Sequence, residues 1–135
     1  MGFDQYHEPP DELPAETRTF ARLATSLIEE AEAISWYRQR LAVEPDADAR
    51  AIMEDAQGEE FKHFSMDLEF LFRRMPEWRA IAEGILFQEG DIVERGEASE
   101  AEVLENNGNG DAEAAPAAAP SDGSLGIGGL KGEGL

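Results

Sequence analysis

The chain has 135 residues, enough for one domain at most. Its 11 basic and 30 acidic side chains give a formal net charge of −19. This charge argues against nucleic acid or an anionic membrane surface as a partner, because both would repel it. No apolar run approaches the roughly 20 residues of a membrane-spanning helix. Cysteine is absent, which excludes disulfide bonds and thiolate metal sites and fits a reducing cytosol.

The composition changes near residue 90, and all seven Phe, both Trp and both Tyr precede that point. We therefore expect an N-terminal arm at residues 1–13 and a helical domain at 14–92. An acidic linker rich in Ala, Pro and Gly should follow at 93–123, and a terminal peptide at 124–135. The linker composition cannot bury enough apolar surface to order itself, so we predict a disordered C-terminal tail.

Apolar residues at helical spacing predict three helices, at about residues 15–42, 47–75 and 77–87. Asp46 is a suitable N-cap for the second helix, and Pro76 should end it, because the residue before a proline avoids helical geometry. The short connection makes the first two helices an antiparallel hairpin. The predicted fold class is all-α, a two-helix hairpin followed by a short C-terminal helix.

Such a hairpin is too small to cover its own large apolar residues. The residues in question are Phe20, Trp36, Phe61, Phe64, Phe70, Phe72 and Trp78. A two-fold pairing of hairpins is the simplest way to bury them. We therefore predict a homo-oligomer whose unit is a dimer of hairpins packed as a four-helix bundle.

Charged residues interrupt the apolar faces of both long helices. Glu30 lies inside an apolar row of the first helix that includes Leu27 and Ile34. On the second helix, Glu60 lies four residues before Phe64, and His63 follows Glu60 by three, which places both on one face. Carboxylates that meet in a helix interface repel each other and lose hydration, and a divalent cation compensates for both effects.

The ligand types narrow the choice of metal. Carboxylates with one imidazole suit iron or manganese better than structural zinc. Glu-x-x-His is the spacing of ferritin-like di-metal bundles, in which two helices each give a Glu and two others each give a Glu-x-x-His. With Glu30, Glu60 and His63, this chain has half of such a set, and a two-fold dimer would complete it. Asp67, one turn after His63, either orients its imidazole or faces solvent.

Five blocks of the sequence resemble the encapsulated ferritins, small ferritin-like proteins packed inside encapsulin shells. They are SLIEEAEAISWYRQR (26–40), GEEFKHFSM (58–66), LFRRMPEW (71–78), LFQEGDI (86–92) and the terminal SLGIGGLKG (124–132). The first four lie in the helical domain, and the last resembles the peptide that docks such cargo to the shell wall. The blocks occur in the same order on one chain, which makes the resemblance specific.

The resemblance implies a ferroxidase, an enzyme that oxidises Fe(II) to Fe(III) with dioxygen at a di-iron centre between two subunits. It implies two irons per dimer, a homodecamer built as a ring of five dimers, and iron storage inside a cytoplasmic encapsulin nanocompartment. The family's ligands fall on Glu30, Glu60 and His63, and its aromatic residues beside the centre fall on Trp36 and Tyr37.

Further residues of the helices and tail carry expectations of their own. Glu29 and Glu32 flank Glu30 and either form an acidic access path for cations or a solvated helix face. Lys62 departs from what the family leads us to expect, and its charge beside Glu59 weakens any extra metal site there. The residues expected to dock the protein to the shell are Leu125, Ile127 and Leu130, which are apolar residues among glycines.

Two other functions remain open from the sequence. One is a non-enzymatic module that binds iron or manganese and only buffers the metal. The other is a structural helical adaptor whose acidic residues are solvated. Oxygen uptake on addition of Fe(II) separates the enzyme from the buffer, and unchanged thermal stability with iron would favour the adaptor.

Overall fold

The computed structural model describes residues 4–110 of the chain, which form helices and no strand. The four α-helices are α1 (Ala15–Val43), α2 (Ala47–Arg74), α3 (Pro76–Glu83) and α4 (Ile92–Gly110). The all-α class is thereby confirmed. None of the described helices is long and apolar enough to cross a membrane.

The N-terminal arm contains one turn of regular structure that the sequence did not predict. Pro10–Glu12 forms a 3-10 turn, closed by a hydrogen bond from the Leu13 N–H to the Pro10 carbonyl. Proline fits the first position of such a turn, because its fixed φ is helical and its missing N–H has no partner there. Pro14 then precedes the first residue of α1.

Helices α1 and α2 form the expected hairpin, and three polar contacts fix how it turns. The Asp46 carboxylate caps α2 by accepting the Ala49 N–H at 2.8 Å. The Arg50 guanidinium donates to the carbonyls of Leu41 and Glu44, which lie at the end of α1. These contacts satisfy backbone groups that a helix end leaves free.

Helix α3 is shorter than the sequence predicts. We expected a helix to residue 87, but α3 ends at Glu83 and the chain turns through Gly84 and the residues that follow it. Phe87 adopts a positive φ of 59°, which is incompatible with a continuing right-handed helix.

Helix α4 corrects the prediction of a linker at 93–123, which is wrong for residues 93–110. The Asp91 carboxylate caps this helix, accepting the N–H groups of Val93 and Glu94 at 3.0 Å each. Glu and Ala are frequent in the helix that follows, and both favour helical geometry. The hydroxyl of Ser99 anchors α4 to α3 by donating to the carbonyl of Ile81 at 2.8 Å. The rest of the expected linker lies outside the described residues.

The buried core of the described residues is small and lies where α2, α3 and α4 meet. It consists of Leu71, Phe72, Ala82 and Ser99, and the Phe72 ring meets the Trp78 ring edge to face at 5.0 Å. Elsewhere many large apolar side chains are exposed, among them Trp36, Ile52, Phe61, Met66, Phe87 and Ile92. Ile52 on α2 is 71% exposed in the single chain. The pairing of hairpins into a four-helix bundle remains a prediction.

Candidate metal centre

The predicted ligands meet in the middle of the hairpin. Glu30 projects from α1 and both Glu60 and His63 from α2, and each offers one ligand atom within 4.8 Å of the others. The three-residue spacing on α2 places His63 Nδ1 3.6 Å from Glu60 Oε2. The two glutamates are partly buried and the imidazole is exposed. Solvent therefore reaches the cluster at the imidazole, whereas the two carboxylates are partly shielded from water.

The proximity of the two glutamates changes the pKa of Glu30. A hydrogen bond between the Glu30 and Glu60 side chains, followed by burial and by repulsion from Glu60, raises the pKa of Glu30 to about 7. The imidazole of His63 acts in the opposite direction. Glu30 therefore holds a proton until the pH approaches 7. A cation bound between the two carboxyl groups would replace that proton.

Asp67 is a further carboxylate beside the cluster. Burial raises its pKa, and His63 counteracts that shift. The charge of Asp67 in turn contributes to the raised pKa of Glu30. Its Oδ2 atom is buried and lacks a hydrogen-bond partner among the described residues. The sequence left open whether Asp67 orients the imidazole or faces solvent. Its Oδ2 atom does not face solvent.

The donor set fits a hard divalent metal such as Fe(II) or Mn(II). Carboxylate oxygens and an imidazole nitrogen are the ligands these ions take, and they leave coordination positions open. Glu30, Glu60 and His63 are the single such cluster found among residues 4–110. One chain supplies too few donors for a closed coordination shell, which leaves room for water, substrate or a second chain.

The other predicted residues lie around the cluster rather than in it. Glu29 and Glu32 are exposed on α1. Trp36 is 52% exposed, and the partly buried Tyr37 ring lies under the Arg40 guanidinium, 5.2 Å from its carbon. The expected docking residues Leu125, Ile127 and Leu130 lie outside the described residues.

Lys62 forms an ion pair with Glu59, the carboxylate next to the cluster. Its ammonium group pairs with Glu59 Oε2 on the exposed side of α2, and this contact lowers the pKa of Glu59. The same oxygen lies 3.9 Å from His63 Nε2. A lysine at this position therefore neutralises the outer carboxylate and leaves the inner pair as the better cation site.

Comparison with known proteins places the chain in a family. The model of the EncFtn-like family matches residues 5–89. A "Ferritin-like protein" of Thermotoga maritima is 44% identical over 91 residues, which cover 67% of this chain and 80% of that protein. An "Encapsulated ferritin-like protein" of Rhodospirillum rubrum is 41% identical over 127 residues, which cover 94% of this chain and 88% of that protein.

A solved structure agrees with these matches. The fold is similar to the crystal structure of a protein from Nitrosomonas europaea, with a TM-score of 0.64 and 37% sequence identity. The similarity covers 66% of this chain and 98% of that one. Because the family match spans more than half of the sequence, the chain belongs to the EncFtn-like family, which confirms its resemblance to the encapsulated ferritins.

Proposed function

We propose that the protein is a ferroxidase that takes Fe(II) as its substrate at Glu30, Glu60 and His63. The observation that carries this proposal is the meeting of these three side chains within 4.8 Å on facing helices, in a family whose relatives bear ferritin names. Each Fe(II) gives up one electron to dioxygen. The carboxylates favour Fe(III) over Fe(II), since anionic oxygen donors stabilise the higher charge.

The cluster supports a site shared by two subunits. One chain offers two glutamates and one histidine, so two chains related by a two-fold axis would provide four glutamates and two histidines, the set of a di-iron centre. Exposed apolar residues of the hairpin, such as Phe61 and Trp36, give the pairing a hydrophobic contribution. A homodecamer made of five such dimers is the assembly that the family suggests.

The proposed role in iron storage concerns the destination of the oxidised iron. A two-helix hairpin and its partner enclose too little volume for a mineral. We propose that Fe(III) is passed into the interior of an encapsulin shell, to which Leu125, Ile127 and Leu130 dock the protein. The name of the Rhodospirillum rubrum relative, an "Encapsulated ferritin-like protein", supports this location.

Oxygen uptake on addition of Fe(II) tests the catalytic proposal. We expect the full chain to consume dioxygen and Glu30→Ala to lose at least a hundredfold in rate. Glu54→Ala serves as the control, because Glu54 is an exposed carboxylate of α2 that pairs with Arg50. Fe(II) binding without oxygen consumption would instead identify a non-enzymatic iron- or manganese-binding module.

Metal stoichiometry against oligomeric state tests the shared centre. We expect two irons per dimer in the wild-type protein and the loss of both in Glu30→Ala. Iron bound to a protein that stays monomeric would contradict a centre built from two subunits.

Co-expression with an encapsulin shell protein tests the docking proposal. Deletion of residues 124–135 should leave iron oxidation intact and abolish loading of the shell. Purification of the truncated protein inside shells would contradict it.

A further inference from the structure

Asp67 holds a buried oxygen that lacks a donor. Its Oδ2 atom is excluded from solvent and accepts no hydrogen bond from the described residues. Leaving a buried acceptor unpaired costs about 1–3 kcal/mol, and more when the group is charged. An aspartate at this position is therefore expected to pair with a donor when the site is in its working state.

The imidazole of His63, in turn, has no carboxylate oxygen of the described residues within hydrogen-bond distance. Its Nδ1 lies 3.6 Å from Glu60 Oε2 and its Nε2 lies 3.9 Å from Glu59 Oε2, and both distances exceed those of a hydrogen bond. The Glu59 oxygen is already engaged, because Lys62 donates to it. Within residues 4–110, the ring thus has no acceptor at hydrogen-bond distance for an N–H.

Asp67 lies one helical turn beyond His63. It follows His63 by four residues on α2, so the two side chains are neighbours on one helix face. In the single chain the ring nitrogens lie within 4.0 Å of the Glu59 and Glu60 carboxylates but not of Asp67, so a rotation of the side chains is needed to bring Asp67 and His63 together. A histidine that binds a metal through one ring nitrogen generally donates its other N–H to a carboxylate, carbonyl or water.

We propose that Asp67 is a positioning residue: its buried oxygen accepts a hydrogen bond from one ring nitrogen of His63 and thereby turns the other nitrogen toward Glu30 and Glu60. The inference rests on the proposed metal site. It assigns the role to the buried oxygen of Asp67 rather than to the exposed Glu59. Fixing the tautomer and the ring orientation in advance removes an entropic cost from metal binding.

Nitrogen-15 NMR of histidine-labelled full-length protein tests the hydrogen bond directly, with Zn(II) as a diamagnetic probe. The chain has two histidines, and the exposed His7 provides an internal reference. In the wild-type protein we expect one nitrogen of His63 to shift on binding Zn(II) and the other to carry a hydrogen-bonded proton. Asp67→Ala should move that second signal toward the values of a freely hydrated ring, and Asp67→Asn, which keeps an acceptor oxygen, should move it less.

Calorimetric titration with Fe(II) in the absence of oxygen provides the second measurement. Asp67→Ala should weaken the Fe(II) Kd about 10- to 100-fold, which is the usual range for residues that orient a ligand. Glu59→Ala is the matched control, since it removes the alternative carboxylate, and it should change the Kd by less than about twofold. Asp67→Asn keeps the test decisive if the alanine variant folds poorly.

Each other outcome overturns the inference in a recognisable way. If Asp67→Ala changes neither the His63 signals nor the Kd, the buried oxygen has no part in the site. If the Kd weakens while the His63 signals stay, Asp67 binds the metal itself and does not position the ring. If Glu59→Ala produces the shift, the exposed carboxylate is the partner. A wild-type protein whose His63 does not take up Zn(II) would instead contradict the proposed metal site.

Discussion

Two regions of the molecule differ sharply in how far a single chain buries their side chains. At the α2–α3–α4 junction, Leu71 is 1% exposed and Ser99 is buried while its hydroxyl donates to Ile81. In the middle of the hairpin, Phe61 is 51% exposed, and contact with the Glu60 side chain and burial raise the pKa of Glu30 to about 7. The junction buries several side chains within one chain, whereas the hairpin middle leaves apolar surface exposed around two carboxyl groups in close contact.

This difference indicates where function is concentrated. Packing at the junction contributes stability by burying apolar side chains. The hairpin middle retains charged groups at the expense of stability, which is typical of sites that bind something. The family match, residues 5–89, covers the hairpin and α3 but stops before α4. The candidate cluster thus lies within the part of the sequence that the family model matches, and α4 lies beyond it.

Truncation of the junction core should give the largest effect. Leu71→Ala removes the most deeply buried side chain and leaves a cavity, so we expect a loss of about 3 kcal/mol in the free energy of unfolding. Chemical denaturation followed by circular dichroism measures it. The Fe(II) Kd of the folded variant should stay within about twofold of wild type. A large loss of metal affinity would show that the two regions are coupled.

Metal binding should stabilise the hairpin middle by nearly as much. At Mn(II) concentrations about 100 times the Kd, a ligand that binds only the folded state adds about 2.7 kcal/mol. Glu30→Ala should abolish this increment, while Leu71→Ala should keep it on a lower baseline. Thermal unfolding with and without Mn(II) measures both. Equal stability in the two conditions would favour the structural adaptor.

The sequence predicted the elements whose signals are local. Helix α1 and the Asp46 cap of α2 follow from apolar spacing and from a carboxylate ahead of a helix. The cluster of Glu30, Glu60 and His63 was also found from spacing, because charged residues at core positions are informative whichever helix they face. Family resemblance then supplied the expected iron chemistry, which spacing alone left open.

What the sequence missed depends on tertiary contact. Composition predicted a linker over α4, but an Asp91 cap and the contact between Gly84 and Ser99 stabilise a helix there. Helix α3 ends early because Phe87 takes a positive φ in the turn that brings α4 back. The buried oxygen of Asp67 could not be distinguished from a solvated one, since its burial depends on how α1 covers α2.

A glycine-to-alanine pair compares the packed junction with an open helix surface. A Cβ at Gly84 would lie 2.3 Å from Ser99 Oγ, so Gly84→Ala should push α4 away and cost about 2 kcal/mol. Gly108→Ala is the matched control, because nothing lies within 4 Å of its Cβ, and it should stabilise α4 by up to about 1 kcal/mol. Hydrogen exchange of the α4 amides measures both. Unchanged protection in Gly84→Ala would contradict the close contact.

The pH dependence of stability should be the smallest effect, and its sign tests the hairpin middle. A hydrogen bond with the Glu60 side chain, burial, and repulsion from Glu60 together raise the pKa of Glu30 from 4.5 to about 7, so the folded metal-free chain binds more protons than the unfolded chain between these values. Stability is therefore greatest below pH 4.5 for this group and falls as the pH rises through 7. Because Glu30 is partly exposed to solvent, we expect a change of about 1 kcal/mol.

Bound metal should reverse that slope, because it needs both carboxylates ionised. Denaturation series from pH 5 to 8, with and without Mn(II), should therefore give curves that diverge as the pH rises. Glu30→Gln should flatten the metal-free curve, because it removes the group whose pKa is raised to about 7. A metal-free curve that instead rises from pH 5 to 8 would mean that the pKa of Glu30 is not raised in the folded protein, and that a partner's positive charge already compensates the two glutamates in the assembled protein.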